Sequence, residues 1–327
     1  MTPPRRRFLR LAAGAAALPL ASRGAGAQAY PSRPITMIVP FPAGGATDVI
    51  ARVVVDRMQR ALGQRIVIEN VGGADGSIGL GRAARARPDG YTLCISIMDA
   101  YVLNGAFYSL PYDLLNDFAP ISLLAAVPII LVARPNMPAK DLGELIAWLK
   151  ANPGQASAGM NTLGFHVLAV YFQKQTGTQF TIVPYRAFPA ELQDVIAGRI
   201  DLVFGTLTSN FPSVRAGTAK AYAVTGLARA TLVPEVPSFA EMGFPALTFS
   251  DWFAVFAPKG TPQNIVEKLD AAAVEALADP TVRSRLAELG FEVFPRDQQT
   301  PEALAALQKA DAAKWWPIIK ELGLKAE

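Results

Sequence analysis

The sequence contains one cysteine, Cys94, and one histidine, His166, among its 327 residues. A single cysteine excludes an intramolecular disulfide, and its position in the apolar run 91–96 predicts a buried thiol. A zinc site needs more His and Cys ligands than the chain offers. A Ser-His-Asp triad would have to use His166, and there is no Gly-x-Ser-x-Gly elbow to present a serine. We therefore expect no metal and no cofactor.

Long apolar runs are also missing: after residue 27 no stretch approaches the ~20 apolar residues of a membrane span. The first 27 residues have the pattern of an export signal, with a basic cluster, a short apolar stretch at 11–21 and a small-x-small cleavage site at 25–27. Arg5-Arg6 followed by Phe8-Leu9 favours the twin-arginine route, with Sec export as the alternative. We expect a mature periplasmic protein.

An excess of positive charge is likewise absent from the mature chain. The whole sequence has 31 basic and 27 acidic residues. Residues 1–27 hold five arginines and no acid, which leaves 26 basic against 27 acidic residues. Nucleic-acid binding therefore loses its main support, and we expect no such partner.

What is present is a strand–turn–helix segment at 35–48. An apolar run at 35–39 meets Pro40 and Pro42, then Gly44-Gly45, and an amphipathic helix follows. A helix start after glycines offers free backbone N–H groups to an anion. The segment lacks a P-loop lysine and dinucleotide spacing, which favours a small carboxylate over a nucleotide. The alternative is an ordinary turn supported by Thr47 or Asp48.

Strand and helix signals alternate along the rest of the chain. Strands at 64–69 and 91–96 with a helix at 78–86 predict a parallel, doubly wound sheet. A second unit begins near 127. Its predicted strands are 128–133, 181–184, 201–204 and 220–225. Its predicted helices are 142–150, 165–175 and 192–196, the last of which completes a strand–helix–strand pattern. The last third is helical, with N-caps predicted at Thr261, Asp279 and Thr300, each before a proline. Trp252 at the second crossover fits core packing or a cleft wall, and Trp315-Trp316 are expected to dock the last helix.

This organisation predicts an α/β fold of two lobes. Residues 28–126 plus 250–327 form the first lobe and 127–249 the second, joined by a hinge of two crossovers. Ligands of open α/β sheets sit beyond the carboxyl ends of the strands, so glycine turns of both lobes would face one cleft. That is the architecture of a binding protein that closes on its ligand.

Several motifs then carry a family resemblance over the whole mature chain. They are 40–48 (PFPAGGATD), 73–76 (GADG), 88–93 (PDGYTL), 117–120 (DFAP), 183–185 (VPY), 198–201 (GRID), 233–237 (VPEVP) and 257–262 (APKGTP). In this order the chain resembles the Bug-type receptors, the extracytoplasmic solute receptors of tripartite tricarboxylate transporters. The resemblance implies a type II, Venus-flytrap periplasmic binding protein.

The resemblance also implies where a carboxylate would bind. In the first lobe the matching residues are Phe41, Gly44, Gly45, Thr47 and Asp48, with Ser77 and Ser96 at the ends of neighbouring elements. In the second lobe they are Asn161, Thr162, His166, Tyr185, Gly205 and Thr206. Gly205 departs from the family's usual aspartate, which would widen the pocket or favour a more anionic ligand.

We expect a monomer without catalytic residues that delivers a small organic acid to the membrane subunits of such a transporter. Two other classes stay open at this point. A sensory receptor for a membrane kinase would use the same fold and site. An exported hydrolase would use Ser96 or Thr162 with His166.

Overall fold

A computed structural model describes residues 30–185 and 187–324 of the chain. The predicted export signal and Arg186 lie outside the described residues. The strands are β1 (Ile35–Val39), β2 (Ile66–Asn70), β3 (Thr92–Ile97), β4 (Phe118–Ala133), β5 (Ser157–Met160), β6 (Thr181–Pro184), β7 (Leu202–Thr206), β8 (Lys220–Val224), β9 (Ser250–Pro258) and β10 (Glu292–Val293). The helices are α1 (Ala46–Leu62), α2 (Ser77–Ala84), α3 (Asn104–Phe107), α4 (Leu142–Ala151), α5 (Leu163–Thr176), α6 (Phe188–Ile196), α7 (Leu207–Arg215), α8 (Gln263–Ala278), α9 (Pro280–Glu288) and α10 (Pro301–Glu321).

The strands form two groups that share β4. In the first group, β1 pairs with β2 and β3 in parallel, and β9 joins antiparallel between β3 and the first part of β4. In the second group, the last part of β4 pairs antiparallel with β7 and β8, while β5 pairs in parallel with β6 and β7. The division of the strands supports the proposed lobes, with the change between groups at Pro128/Ile129.

The parallel arrangement predicted from the first three strands is confirmed for β1, β2 and β3, and the antiparallel strands β9 and β4 make the first group mixed. The strand expected at 128–133 is the second part of β4, which begins at Phe118. The helix predicted at 192–196 is confirmed as the second part of α6, whereas β5 and α7 were not predicted. A strand that is buried on both faces, such as β4, is apolar along most of its length. The alternation of apolar and polar residues that marks a half-exposed strand is then missing, so the sequence does not show where the strand begins.

Two of the three predicted N-cap residues, each directly before a proline, do cap their helices. Asp279 accepts hydrogen bonds from Thr281 N and Val282 N, and Thr300 accepts one from Ala303 N. The third expectation is wrong, since Pro262 itself occupies the N-cap of α8. The Thr261 hydroxyl donates instead to Pro258 O at 2.7 Å, which closes the turn after β9.

Helix α10 packs against β4, the strand that both groups share. Trp315 is buried and meets the Tyr171 ring of α5 edge-on, while Trp316 Nε1 donates to Val102 O at 2.8 Å. The Trp252 indole is completely buried and donates to Asp311 of α10. Trp252 is therefore a core residue, not a wall of the cleft. Within the described ranges, no helix combines the length and apolarity that crossing a bilayer requires.

Thr225 connects three segments where the chain passes between the strand groups. Its buried hydroxyl donates to Phe249 O at 2.7 Å and accepts from Ile129 N at 3.1 Å. The main chain of Thr225 adds hydrogen bonds with Ile129 O and from Phe249 N. One side chain thus joins the outgoing crossover in β4 to the returning segment before β9.

We predict that Thr225→Val lowers the free energy of unfolding by about 1–3 kcal/mol, because it leaves a buried N–H and a buried carbonyl oxygen without their shared hydroxyl. Urea denaturation followed by circular dichroism measures the change. Thr218→Val is the matched control, since its hydroxyl bonds Ser213 O at an exposed site, and we expect about 0.5 kcal/mol or less there. Equal effects of both substitutions would contradict the role given to Thr225.

Candidate functional site

The predicted site residues lie at the carboxyl ends of parallel strands in both groups. Phe41 to Asp48 follow β1, Ser77 begins α2 beyond β2, and Ser96 is near the end of β3. In the second group, Asn161, Thr162 and His166 follow β5, Tyr185 follows β6, and Gly205 and Thr206 end β7. Parallel neighbours end at the same edge, so each set lies along one edge of its strands.

Asp48 holds the first glycine turn in place. Its carboxylate accepts from Gly44 N at 2.9 Å, from Asn70 Nδ2 at 3.1 Å and, in a two-pronged contact, from Arg52 at 2.8 and 3.0 Å. Asn70 Nδ2 also donates to Phe41 O at 3.0 Å. The turn therefore has a fixed shape, and the paired Arg52 offsets the negative charge of Asp48.

The pKa of Asp48 shows the balance of these contacts. Burial acts to raise it, but hydrogen bonds from Arg52, Gly44 and Asn70 together lower it below the ordinary carboxyl range. Asp48 is therefore ionised at neutral pH. Sequence reasoning did not include Arg52 and Asn70, although Arg52 is four residues after Asp48 in one helix, the spacing of an ion pair.

The glycines leave the start of α1 open to a ligand. Gly45 is the N-cap of α1 and has no side chain to occupy the first-turn N–H groups. Gly44 has a φ of 85°, and a Cβ there or at Gly45 would meet no atom closer than 3.5 Å. Thr47 is only 4% exposed. The turn combines backbone donors, open space and a hydroxyl, which suits a carboxylate.

Ser77 and Ser96 have different surroundings. The Ser77 hydroxyl accepts from Asn104 Nδ2 at 3.0 Å, and its main-chain oxygen accepts from Tyr112. Ser96 is completely buried, and its hydroxyl has no hydrogen-bond partner in the described part of the chain. Ser77 thus forms its hydrogen bonds within the first group, whereas the Ser96 hydroxyl can still form one.

The start of helix α5 brings three predicted residues together. Thr162 is the N-cap, and its Oγ1 accepts from Phe165 N at 3.3 Å. His166 lies in the first turn and is half-buried, and its main-chain N donates to Thr162 O. Asn161 precedes the cap, with an Oδ1 that is buried and unpartnered among the described residues. Hydroxyl, amide and first-turn N–H groups are therefore concentrated here.

Tyr185 and Thr206 use their hydroxyls within the second group. Tyr185 OH donates to Asp194 Oδ2 at 2.7 Å, and burial together with this carboxylate raises the pKa of Tyr185 to about 12. Thr206 caps α7 by accepting from Ser209 N. Both hydroxyls therefore already have hydrogen-bond partners within the protein, which leaves them a minor role in binding a ligand.

Gly205 does not widen the pocket. A Cβ at Gly205 would lie 2.6 Å from Asn210 Nδ2 and 3.3 Å from the Phe188 ring, so these side chains already fill the space. Asn210 is completely buried and its Nδ2 donates to Thr206 O at 2.9 Å. The expectation of extra space at Gly205 is wrong, because a residue five positions later on α7 replaces the missing side chain.

Asp99 connects the two strand groups, and sequence reasoning did not include it. It begins the π-helical turn Asp99–Leu103 after β3, and its Oδ2 accepts from Gly164 N of α5 at 3.2 Å. Burial raises the pKa of Asp99 to about 7, the Gly164 bond opposes this, Asp75 raises it further and the Thr162 hydroxyl lowers it. A signal existed in the sequence, since Asp99 is a lone charge inside the apolar run 93–103.

Glu191 and Asp251 are two further buried carboxyl groups near these strand ends. Burial raises the pKa of Glu191 to about 8, and burial with the charge of Asp99 raises that of Asp251 well above its usual range. Within residues 30–185 and 187–324, no group of three or more His, Cys, Asp or Glu side chains has the spacing to hold a metal.

Comparison with known proteins assigns the family. The model of the tripartite tricarboxylate transporter family receptor, TctC, matches residues 50–324. The chain belongs to this family. The predicted resemblance to Bug-type receptors is confirmed, and the family consists of solute receptors, not enzymes. The hydrolase alternative is therefore rejected.

Solved structures give the same result. The periplasmic binding protein BugD is 34% identical, with a TM-score of 0.78 over 91% of this chain and 100% of that one. MatC from Rhodopseudomonas palustris with bound malate is 33% identical, with a TM-score of 0.78 over 89% and 100%. An R. palustris protein with adipate is 31% identical, with a TM-score of 0.80 over 91% and 100%. The TctC receptor described here has the mixed α/β periplasmic binding protein fold.

We predict that Asp48→Asn lowers the free energy of unfolding by about 1 kcal/mol at neutral pH, because it weakens the charge-assisted bonds that hold the glycine turn. The Arg52 side chain is 56% exposed, so solvent screens part of the pair. The folded pKa of Asp48 is lowered, so its contribution is present above the ordinary carboxyl pKa and disappears as the pH falls through the folded value.

The measurement is urea denaturation of both proteins between pH 3 and 8. The difference should be constant above about pH 5 and shrink below about pH 4. Asp56→Asn on the same helix is the control, because Asp56 pairs with Arg60 at the same spacing but is 66% exposed. A difference for Asp48→Asn that grows as the pH falls would contradict the assignment.

Proposed function

We propose that this TctC receptor binds a small organic acid between its two strand groups and delivers it to the membrane subunits of a tripartite tricarboxylate-type transporter. The observation that carries the proposal is the rigid glycine turn before α1. It presents backbone N–H groups to open space, while Arg52 offsets the charge of the Asp48 carboxylate that shapes it. A ligand carboxylate there completes hydrogen bonds that the helix start leaves unmade.

The second half of the site is the start of α5. Asn161, Thr162 and His166 lie around the start of α5, and Asp99 from the first group already contacts its first turn at Gly164 N. A ligand held at the glycine turn would contact this turn as the lobes close. The malate and adipate bound by two relatives support a carboxylate as the ligand class.

The cellular role in the proposal follows from the family and from the export signal. The receptor would act as a monomer in the periplasm and pass its ligand to transporter subunits without chemistry of its own. The periplasmic assignment of BugD supports this location. The hinge would lie at Pro128/Ile129 and at the returning segment before β9, where Thr225 joins both.

We predict that at least one compound in a thermal-shift screen of mono-, di- and tricarboxylates, aromatic acids and amides raises the melting temperature. With the best compound, Thr47→Val should weaken binding roughly tenfold, since a hydrogen bond to a charged group contributes ~1.5–3 kcal/mol. Gly45→Val should abolish binding in a folded protein, because its side chain fills the approach to the backbone. Calorimetry measures both variants.

Thr281→Val is the matched control, since Thr281 is also the second residue of its helix but lies exposed on α9. It should bind like the wild type. If Thr47→Val and Gly45→Val also bind like the wild type, the glycine turn is only structural and the proposal fails.

We predict that the exported protein begins at or near Gln28, which mass analysis of the periplasmic fraction measures. Replacement of Arg5 and Arg6 by lysine should block export if the twin-arginine route is used. Normal export of that variant would indicate the Sec route. A mature protein that retains residues 5–10 would contradict the signal assignment.

A further inference from the structure

Asp99 and Asp251 are two buried acids on neighbouring elements of the first group. Strands β3 and β9 pair antiparallel with Ile97 opposite Phe253, and Asp99 and Asp251 follow at matching positions two residues beyond this pair. Asp99 is 6% and Asp251 5% exposed, and each has an Oδ1 that is buried and without a hydrogen-bond partner among the described residues. Two carboxyl groups so placed cannot both ionise without a large cost, so the pair holds a proton.

Asp99 also makes a contact between the two strand groups. Its Oδ2 accepts from Gly164 N of α5 at 3.2 Å, and the Thr162 hydroxyl faces the same carboxyl. A Cβ at Gly164 would lie no more than 2.5 Å from either carboxyl oxygen of Asp99. Gly164 is not among the glycines with a positive φ, so the approach of Asp99 is what requires a glycine there. The contact between the groups therefore depends on a carboxyl that is almost completely removed from solvent.

The surroundings of both acids favour their neutral forms. Burial raises the pKa of Asp99 to about 7 against the hydrogen bonds from Gly164 N and the Thr162 hydroxyl, and the negative charge of Asp75 also raises it. Burial and the charge of Asp99 raise the pKa of Asp251 well above its usual range, although one main-chain N–H donates to it. The direction agrees with the geometry, since a buried acid beside a second acid is harder to ionise.

Other titratable side chains lie on the elements around the two acids. Asp75 accepts a hydrogen bond from Tyr108 of α3, and His166 lies in the first turn of α5. On α10, Asp311 accepts from an indole N–H and Lys314 donates to a main-chain oxygen. Histidine is the side chain whose ordinary pKa lies between pH 5 and 8. His166 is therefore the alternative source of a pH dependence at this contact.

We propose that Asp99 is a pH-sensitive contact between the two strand groups, which holds while the buried acids keep their proton and loosens when Asp99 ionises. When Asp99 separates from α5, its carboxyl meets water and ionises in the ordinary range at about pH 4. Separation therefore releases a proton, and a rising pH favours the form in which the contact is broken. This inference goes beyond the proposed function, because it needs no ligand.

The pH range of the effect is set by the two forms of Asp99. The preference for the joined form is complete below the ordinary carboxyl pKa and decreases as the pH rises to the value of about 7 in the joined form. Between pH 5 and 7, the equilibrium constant for breaking the contact should rise about tenfold or more.

Hydrogen exchange of the Gly164 amide measures this equilibrium, because its N–H donates to Asp99. In the ligand-free exported receptor, exchange is read by NMR and corrected for the intrinsic rate at each pH. Protection of the Gly164 amide should fall about tenfold or more from pH 5 to 7. The Glu144 amide is the matched control, since it donates to Asp141 at the start of α4 within one group. Its protection should change about twofold or less, and an equally small change at Gly164 would overturn the inference.

Two variants identify the group that titrates. Asp99→Asn cannot ionise, while its amide oxygen can still accept from Gly164 N, so protection of the Gly164 amide should become independent of pH. His166→Gln should keep the fall seen in the wild type. A fall that persists in a folded Asp99→Asn variant, or that disappears in His166→Gln, would overturn the inference. If Asp99→Asn does not fold, the profiles of the wild type and of His166→Gln decide between the acid and the histidine.

Discussion

The fold depends on a single strand, β4, that belongs to both strand groups. It runs for 16 residues, and every residue from Ile121 to Ala133 is buried. Its first part pairs with β9, and its last part with β7 and β8. Because a strand rises about 3.3 Å per residue, β4 sets the distance between the two edges that carry the site. Thr225 then joins the returning chain to the same point through hydrogen bonds with Ile129 and Phe249.

Two aspartates near the strand ends, Asp48 and Asp99, have pKa values that are shifted in opposite directions. Asp48 is buried but accepts four hydrogen bonds, including two from Arg52, and its pKa is lowered. Asp99 is also buried and accepts a backbone bond from Gly164 N at 3.2 Å, but burial raises its pKa to about 7 despite that bond and the Thr162 hydroxyl. The first carboxylate has little left to offer a ligand and acts on the shape of the turn. The second retains one oxygen, Oδ1, that is buried and has no hydrogen-bond partner among the described residues.

Much of the fold and part of the site were predictable from the sequence. Segments with local signals, such as the glycine turn at Gly44-Gly45, the caps at Asp279 and Thr300, and the apolar runs of β1 and β3, have the predicted secondary structure. The mixed strand directions were not predictable, since direction depends on where distant strands such as β4 and β9 meet. Apart from Arg52, which is four residues from Asp48, the missed residues Asn70 and Asp99 have partners that are remote in sequence. Asn70 is 22 residues from Asp48, and Asp99 is 65 residues from Gly164.

The glycines at Gly164 and Gly205 show why a residue-by-residue comparison with a family pattern is insufficient. At Gly205 the missing side chain leaves no empty space, because Asn210 and Phe188 occupy it. At Gly164 the missing side chain is what admits Asp99. In both places a polar group from another element fills the volume that a Cβ would need. The surroundings of the strand ends are therefore set partly by side chains outside the family motifs, such as Asn210 and Asp99.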